Sequence, residues 1–398
     1  MSKKHSNNIT LGIISFIAVV NMLGYGIIIP IMYAYVAKFG INAFGIGILF
    51  ASFSLAQFIS TPIIGRLSDR FGRKPLLAYS VLGTAVSFLL MAVAKSASVI
   101  FLARTMDGIS GGNISVAQAV ISDSTEPKER AKWFGILGAA FGFGFVFGPA
   151  IGGILSTISL QAPFYFASAI AVVASILTIF VLQETLPKSH VEHKSIAKMF
   201  DLRHLFHALF EPYVGLILIA SFIASVSFSI FILAIQVFMN DTLKLSPSHI
   251  ALIFVIFGLI GLIMQGFALG KLVKIFKEVP LLIAGVVITG LSFLGMGFTN
   301  TFSTFIIFSV TLAIGNSFLA PLITAILSKH TKREDQGGMM GINQSYVSLA
   351  QVAGPIIGGV LATASVHYAF FGAAAVLVLM FFLTLIIARE SGKHVINL

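Results

Sequence analysis

The chain has 398 residues, of which 57% are hydrophobic and 10% are charged, whereas a soluble domain carries about 25% charged residues. An ordinary soluble fold is excluded, because too few polar side chains are available to cover its surface. The absence of cysteine excludes disulfides and thiolate metal sites. The formal net charge of +11 does not indicate nucleic acid, because the basic residues lie in short gaps between apolar stretches.

Twelve apolar segments of 20 or more residues follow in chain order, each long enough to cross a bilayer as a helix. They cover residues 9–32, 44–65, 75–94, 97–120, 133–156, 162–182, 213–238, 248–270, 279–299, 303–327, 338–362 and 367–388. The first is longer than the apolar core of a signal peptide and further spans follow at once, so we expect it to be retained. The sequence therefore predicts an all-α membrane protein with twelve transmembrane helices.

The charges in the loops predict the orientation of these spans. Of the 25 Lys and Arg residues, 21 lie in the N-terminus and in the gaps after the even-numbered spans. The opposite gaps hold only Lys38, Lys95 and Lys244, and Arg104 lies inside the fourth span. Because positive residues favour the inner side, both termini are predicted to be cytoplasmic.

The longest connection divides the chain into two predicted six-helix bundles, residues 1–182 and 213–398. The connector, residues 183–212, is predicted to be cytoplasmic. Its later part, residues 195–210, mixes apolar and basic side chains, which is typical of a helix lying on the inner leaflet.

The two bundles repeat each other weakly in sequence. Three short matches stand at nearly one offset, 203 to 206 residues, and at matching places in the topology. They are GPAIGG from Gly148 with GPIIGG from Gly354, Gly65-Arg66-Leu67 with Gly270-Lys271-Leu272, and Gly112-Asn113 with Gly315-Asn316. Parallel repeats of this kind predict a transport path at the interface of the two bundles.

Three local patterns resemble one family, the major facilitator transporters. They are GRLSDRFGRKP from Gly65 to Pro75, Leu102-Ala103-Arg104 followed by Gly108, and GFVFGPAIGG from Gly144 to Gly153. The whole chain is similar to the twelve-helix drug:proton antiporter branch, near bacterial tetracycline and multidrug exporters. The fifth-span residues Gly144, Gly148, Pro149, Gly152 and Gly153 are interpreted as structural and mobile, because small residues let helices approach closely.

The first of these patterns predicts a charged cluster at the membrane surface. Arg73 lies four residues after Asp69 and is in reach of Asp123 at the end of the fourth span. The resemblance implies that these residues, with Arg70, lock the cytoplasmic side shut and that Asp69 faces the start of the eleventh span. The alternative is that they are ordinary positive-inside anchors.

Arg104 and Asp107 are the only charged residues well inside a predicted span. Each costs about 2.5–3.5 kcal/mol at a helix centre, which usually marks a functional site. The resemblance implies a role in proton coupling; the alternative is a mutually neutralised pair that only stabilises packing. Many relatives carry an acid in the first span, but this chain has none there, so coupling is predicted to depend on Asp107, helped by Asp241.

Polar side chains within the spans are the candidates for a substrate cavity, because amides in lipid must face a cavity or a partner. They are Asn21, Tyr25, Gln57, Asn113, Gln118, Gln236, Gln265, Asn316, Asn343, Gln344, Tyr346 and Gln351. Each is equally open to interpretation as interhelical glue. Together with many phenylalanines, they favour a bulky amphipathic substrate.

No catalytic or cofactor-binding pattern is present in the sequence. The pairs His190 and His193, and His204 and His207, are interpreted as part of a solvated connector rather than a metal site, and no nucleotide fingerprint occurs in the right context. We therefore expect a monomeric plasma-membrane transporter, without cofactor or enzymatic activity, that exports drug-like compounds against protons by alternating access. The alternatives are a sugar or metabolite exporter on the same fold and a non-transporting receptor or assembly protein.

Overall fold

The computed structural model describes residues 3–186, 202–331 and 336–395, and every regular element within these ranges is helical. The α-helices are α1 (Lys3–Val36), α2 (Ala43–Phe71), α3 (Arg73–Ala92), α4 (Ala97–Ser110), α5 (Ile114–Ser124), α6 (Pro127–Ser156), α7 (Ala162–Phe180), α8 (Leu202–Phe210), α9 (Val214–Val237), α10 (Pro247–Ile263), α11 (Leu269–Phe276), α12 (Glu278–Gly297), α13 (Phe302–Lys329), α14 (Gln336–Ala364) and α15 (Val366–Val395). Short π-helical segments, Phe238–Thr242 and Met264–Ala268, follow α9 and α10.

Within these ranges, eleven helical stretches are long and apolar enough to cross a membrane. They correspond to eleven of the twelve predicted spans. The exception is residues 97–120, which form α4 and α5 joined by a 3-10 turn, Gly111–Asn113. The continuous helix predicted there is interrupted, because two consecutive glycines each cost about 1 kcal/mol in a helix relative to alanine.

The predicted surface helix of the connector is described only in its last part. Residues 187–201 lie outside the described ranges, and α8 begins at Leu202. Phe206 and Phe210 stand one turn apart on α8 and are 62% and 80% exposed. An exposed apolar face of this kind is typical of a helix on a lipid surface, and the placement of this helix on the inner leaflet stays a prediction.

The helices group into two compact units. Unit 1 comprises residues 1–41, 52–200 and 247–254, and unit 2 comprises residues 42–51, 201–246 and 255–398. Unit 1 thus contains most of α1–α7 with the start of α10, and unit 2 contains the start of α2 with most of the later helices.

Inside unit 1, α6 lies directly against α1 along the glycines of the GPAIGG segment. A Cβ at Gly148 would lie 2.8 Å from the Cα of Gly26, and a Cβ at Gly152 would lie 2.5 Å from the carbonyl oxygen of Ile27. A Cβ at Gly144 would lie even closer to the Cβ of Met22. Only glycine permits backbones to approach so closely, as in other membrane helix pairs.

Unit 2 repeats this contact between α14 and α9. A Cβ at Gly354 would lie 2.5 Å from the Cβ of Ser229, and a Cβ at Gly358 would lie 3.3 Å from the Cα of Ile230. The sequence repeat is therefore also a repeat of helix packing.

Candidate functional site

The interruption between α4 and α5 is bound to α2 by side-chain hydrogen bonds. Gln57 donates to the carbonyl of Gly111 (3.2 Å), and Ser60 donates to the carbonyl of Gly108 (3.3 Å). Both acceptors are backbone carbonyls at or just before the 3-10 turn, so these donors tie α2 to the interruption.

A buried ion pair lies one turn before this interruption. Arg104 and Asp107 are three residues apart on α4, and the Nη1 atom of Arg104 lies 2.7 Å from the Oδ2 atom of Asp107. Arg104 is only 1% exposed and Asp107 is 9% exposed. Ser87 of α3, whose hydroxyl donates to the carbonyl of Thr84 on its own helix, lies near this carboxylate as a second polar neighbour.

Aromatic rings cover the arginine of this pair. The guanidinium carbon of Arg104 lies 4.2 Å from the ring centroid of Phe53, a cation–π contact that strengthens away from water. The ring of Tyr25 lies 6.1 Å from that of Phe53. The positive charge is thus held between one carboxylate and an aromatic wall.

This arrangement makes the two charges depend on each other. If Asp107 takes up a proton, the buried Arg104 loses its neutralising partner, and an uncompensated buried charge is strongly unfavourable. Protonation of Asp107 would therefore remove the charge that neutralises Arg104 at this position.

A polar pair lies beside the same interruption. The Nδ2 atom of Asn21 on α1 donates to the Oδ1 atom of Asn113 at 2.8 Å. Asn113 is completely buried, and within the described ranges its own Nδ2 atom has no hydrogen-bond partner. A buried donor of this kind favours binding of a group that accepts a hydrogen bond.

The structure brings four of the five cavity candidates of unit 1 to this region. Asn21, Tyr25, Gln57 and Asn113 contact one another or the residues around the ion pair. Gln118 is exposed on α5.

The other seven candidates belong to unit 2. Gln236 is fully buried and donates to the carbonyl of Ile232 on its own helix, as interhelical or intrahelical polar groups in lipid often do. The remaining six are Gln265, Asn316, Asn343, Gln344, Tyr346 and Gln351.

The predicted cluster after α2 centres on Arg73, the first residue of α3. Arg73 forms ion pairs with Asp69 and with Asp123, the latter at 3.1 Å, and donates to the hydroxyl of Ser68 at 2.6 Å. The structure thus brings Asp69, Arg73 and Asp123 together. Arg70 is placed differently, with its guanidinium over the ring of Phe71 at 5.2 Å.

Glu184, just after α7, is a member of this cluster that the sequence reasoning missed. Its carboxylate accepts hydrogen bonds from the backbone N–H groups of Arg73 (2.9 Å) and Lys74 (3.2 Å), the first residues of α3. Gly72, at φ +104°, leaves the space that this carboxylate occupies. The signal was a helix start without an acidic residue in its first turn or a side-chain cap of its own, since such a start needs an external acceptor.

Phe53 and Ser87 were also missed around the buried pair. The chain contains 38 phenylalanines, and no spacing in the sequence distinguishes the one that faces Arg104. For the histidines of the connector, His190 and His193 lie outside the described residues, and His207 is exposed on α8.

Comparison with known proteins identifies the family. Residues 14–222 and 217–397 each match the Major Facilitator Superfamily. Multidrug resistance protein 1 of Bacillus subtilis (strain 168) is 32% identical over 397 residues, covering 99% of both chains. The class C tetracycline resistance protein of Escherichia coli is 31% identical over 365 residues, covering 88% of this chain and 89% of that protein.

A solved structure supports the same fold. The nucleoside transporter NupG superimposes with a TM-score of 0.79 over 96% of this chain and 99% of its own, at 11% identity. The family match and the helices of membrane length together define a multi-pass membrane transporter rather than an enzyme. The chain belongs to the Major Facilitator Superfamily, which confirms the resemblance drawn from its three motifs and places it in the plasma membrane.

Proposed function

We propose that the protein exports amphipathic, drug-like compounds in exchange for inward-moving protons, by alternating access. The single observation that carries this proposal is the Arg104–Asp107 pair, which is buried on α4 with 2.7 Å between the Nη1 and Oδ2 atoms. The relatives support the substrate class, since they are a multidrug resistance protein and a tetracycline resistance protein.

The topology belongs to the same proposal. The helices α4 and α5, with the turn between them, form the fourth of twelve spans. An even number of spans puts both termini on the same side, which is the cytoplasm. The excess of Lys and Arg in the inner loops supports this orientation.

Proton coupling is assigned to Asp107. In this mechanism Asp107 takes up a proton from the outer side, which frees Arg104 from its counter-ion and drives the rearrangement that opens the inner side. Release of the proton to the cytoplasm restores the pair. Each inward proton yields about 2.3 kcal/mol per 100 mV of membrane potential.

Substrate binds next to this pair in the proposed mechanism. The interrupted helix offers the Nδ2 donor of Asn113, and Tyr25 and Phe53 offer aromatic surfaces. A few polar groups in an apolar wall are typical of sites for bulky, weakly polar ligands. In unit 2 the proposed path is lined by Gln265, Asn316, Asn343, Gln344, Tyr346 and Gln351.

Opening of the cytoplasmic side is assigned to the cluster around Arg73. Its two ion pairs connect the start of α3 with Asp69 and Asp123, and Arg70 contributes positive charge at the same loop. Breaking these contacts would let the inner ends of the helices separate.

The test is proton-coupled transport in proteoliposomes with tetracycline and ethidium as probes. Asp107→Asn keeps the shape of the side chain but cannot exchange a proton, so it should abolish substrate-driven proton release while leaving downhill exchange of substrate. Glu129→Gln is the matched control, because Glu129 is an exposed acid in the first turn of α6 and has no role in the proposed mechanism. Its coupling should stay at the wild-type level. Undiminished proton release in Asp107→Asn would refute the assignment.

A further inference from the structure

The loop before α12 repeats the loop before α3, 205 residues earlier. Pro75 and Pro280 stand at the same place, two residues into the two helices. The residue just before each helix has a positive φ, +104° at Gly72 and +63° at Lys277. The second is unusual, since non-glycine residues seldom adopt this region. The backbone of the loop is therefore reproduced in both units even where the glycine is not.

The charges on this shared backbone are reversed. The position of Asp69 is taken by Lys274, and the position of Arg73 is taken by Glu278. At an offset of 206, the position of Asp123 is taken by Lys329. An acid–base–acid set in unit 1 thus corresponds to a base–acid–base set in unit 2.

The central contact survives this reversal. The Nζ atom of Lys329 lies 2.5 Å from the Oε1 atom of Glu278, which joins the start of α12 to the end of α13. In unit 1 the ion pair of Arg73 with Asp123 joins the start of α3 to the end of α5 in the same way. Different residue types thus form equivalent ion pairs between neighbouring helix ends in the two units.

The helix dipoles distinguish the two ties. A helix start favours an acid and a helix end favours a base, so Glu278 at the first residue of α12 and Lys329 at the last residue of α13 both suit their positions. Arg73 at the start of α3 has the opposite sign. That start is stabilised from outside by the carboxylate of Glu184, whereas α12 supplies its own acid.

We infer that Glu278 and Lys329 are positioning residues of the transport cycle, which keep the inner ends of α12 and α13 together as one body. The inference rests on the proposed function, since it assigns to unit 2 a tie equivalent to that of Arg73. Glu278 has no role in the orientation of the chain, because acids contribute little to topology. The role of Glu278 is therefore separate from that of the basic residues around it.

Charge reversal tests the inference. Glu278→Lys and Lys329→Glu each place like charges together, and we expect at least fivefold slower downhill exchange of ethidium in proteoliposomes, with ethidium affinity unchanged. The double variant, E278K with K329E, has the polarity of unit 1 and should be faster than either single variant. It should remain slower than wild type, because both charges then oppose their helix dipoles. Lys271→Glu, at an exposed base of the same segment, should transport normally.

A second readout follows the helix ends directly. Because the chain has no cysteine, Leu282→Cys introduces a single thiol at a position on α12 that is 1% exposed. The thiol should react at least threefold faster with a maleimide in the single reversals than in the wild-type background, and the double reversal should restore protection.

Two results would overturn the inference. The first is a wild-type exchange rate in the single reversals, which, even with a change in labelling, would leave the pair a structural role only. The second is a double variant no faster than the better single one. Because downhill exchange needs no proton gradient, failure of proton coupling in the wild type would count against the proposed function and not against this pair.

Discussion

The contact between α1 and α6 leads us to predict opposite effects for the same substitution at two glycines of α6. A Cβ at Gly148 would lie 2.8 Å from the Cα of Gly26 and 3.0 Å from the carbonyl oxygen of Leu23. Both neighbours are backbone atoms, which cannot turn aside as a side chain does. At Gly138, ten residues earlier on the same helix, nothing lies within 4 Å of the added Cβ.

The magnitude follows from these distances. Ordinary contact begins at 3.4 Å, so Gly148→Ala must move α6 away from α1 by about 0.6 Å. Overpacking of this kind costs about 1–3 kcal/mol, and alanine returns about 0.5–1 kcal/mol through its better helix propensity. We therefore expect Gly148→Ala to lower the free energy of unfolding by about 1 kcal/mol and Gly138→Ala to raise it by about 0.5–1 kcal/mol.

The measurement is reversible unfolding in mixed micelles, with both variants and the wild type compared at one lipid-to-detergent ratio. A difference of about 2 kcal/mol between the variants corresponds to a factor of about 30 in the unfolding equilibrium. Gly26→Ala, on the other side of the contact, should behave like Gly148→Ala. Equal stability of Gly148→Ala and Gly138→Ala would show that the close approach of the two helices does not determine their stability.

Two further predictions concern a strained backbone position and a single hydrogen bond. Lys277→Gly should raise the free energy of unfolding by about 1 kcal/mol, because glycine adopts a positive φ without the strain that a side chain causes. Lys274→Gly, within α11, should lower the free energy of unfolding by about as much, and a loss of stability in both variants would show that Lys277 is not strained. Asn21→Ala should cost about 1–3 kcal/mol by leaving Asn113 without its donor. Adding Asn113→Ala should cost less than the two single effects combined, whereas strict additivity in this double-mutant cycle would show that the two amides do not interact.

Much of the fold could be predicted from hydropathy alone. Eleven of the twelve predicted spans are helices of membrane length in the structure, because each needs only a long apolar stretch. The fourth was harder, since Gly111 and Gly112 lie in an apolar stretch whose hydropathy hides the break. The two glycines therefore interrupt the helix, although the average hydropathy of the segment is that of a membrane span.

The candidate site was predicted in part. Arg104 and Asp107 were visible because charge in an apolar span is costly and their spacing puts them on one helix face. Phe53, Ser87 and Glu184 were not, because they come from other helices and their residue types are ordinary at those positions.

Composition and short-range spacing were thus sufficient to determine the membrane-spanning helices, the repeat and the residues whose burial is expensive, since each depends on the side chains of one segment. The tertiary structure decided which neighbours those residues have. It placed an aromatic ring over Arg104, a distant carboxylate at the start of α3 and a reversed ion pair at the start of α12. Contacts between segments far apart in the chain depend on how helices pack, and packing is a property of the whole fold that no single segment encodes.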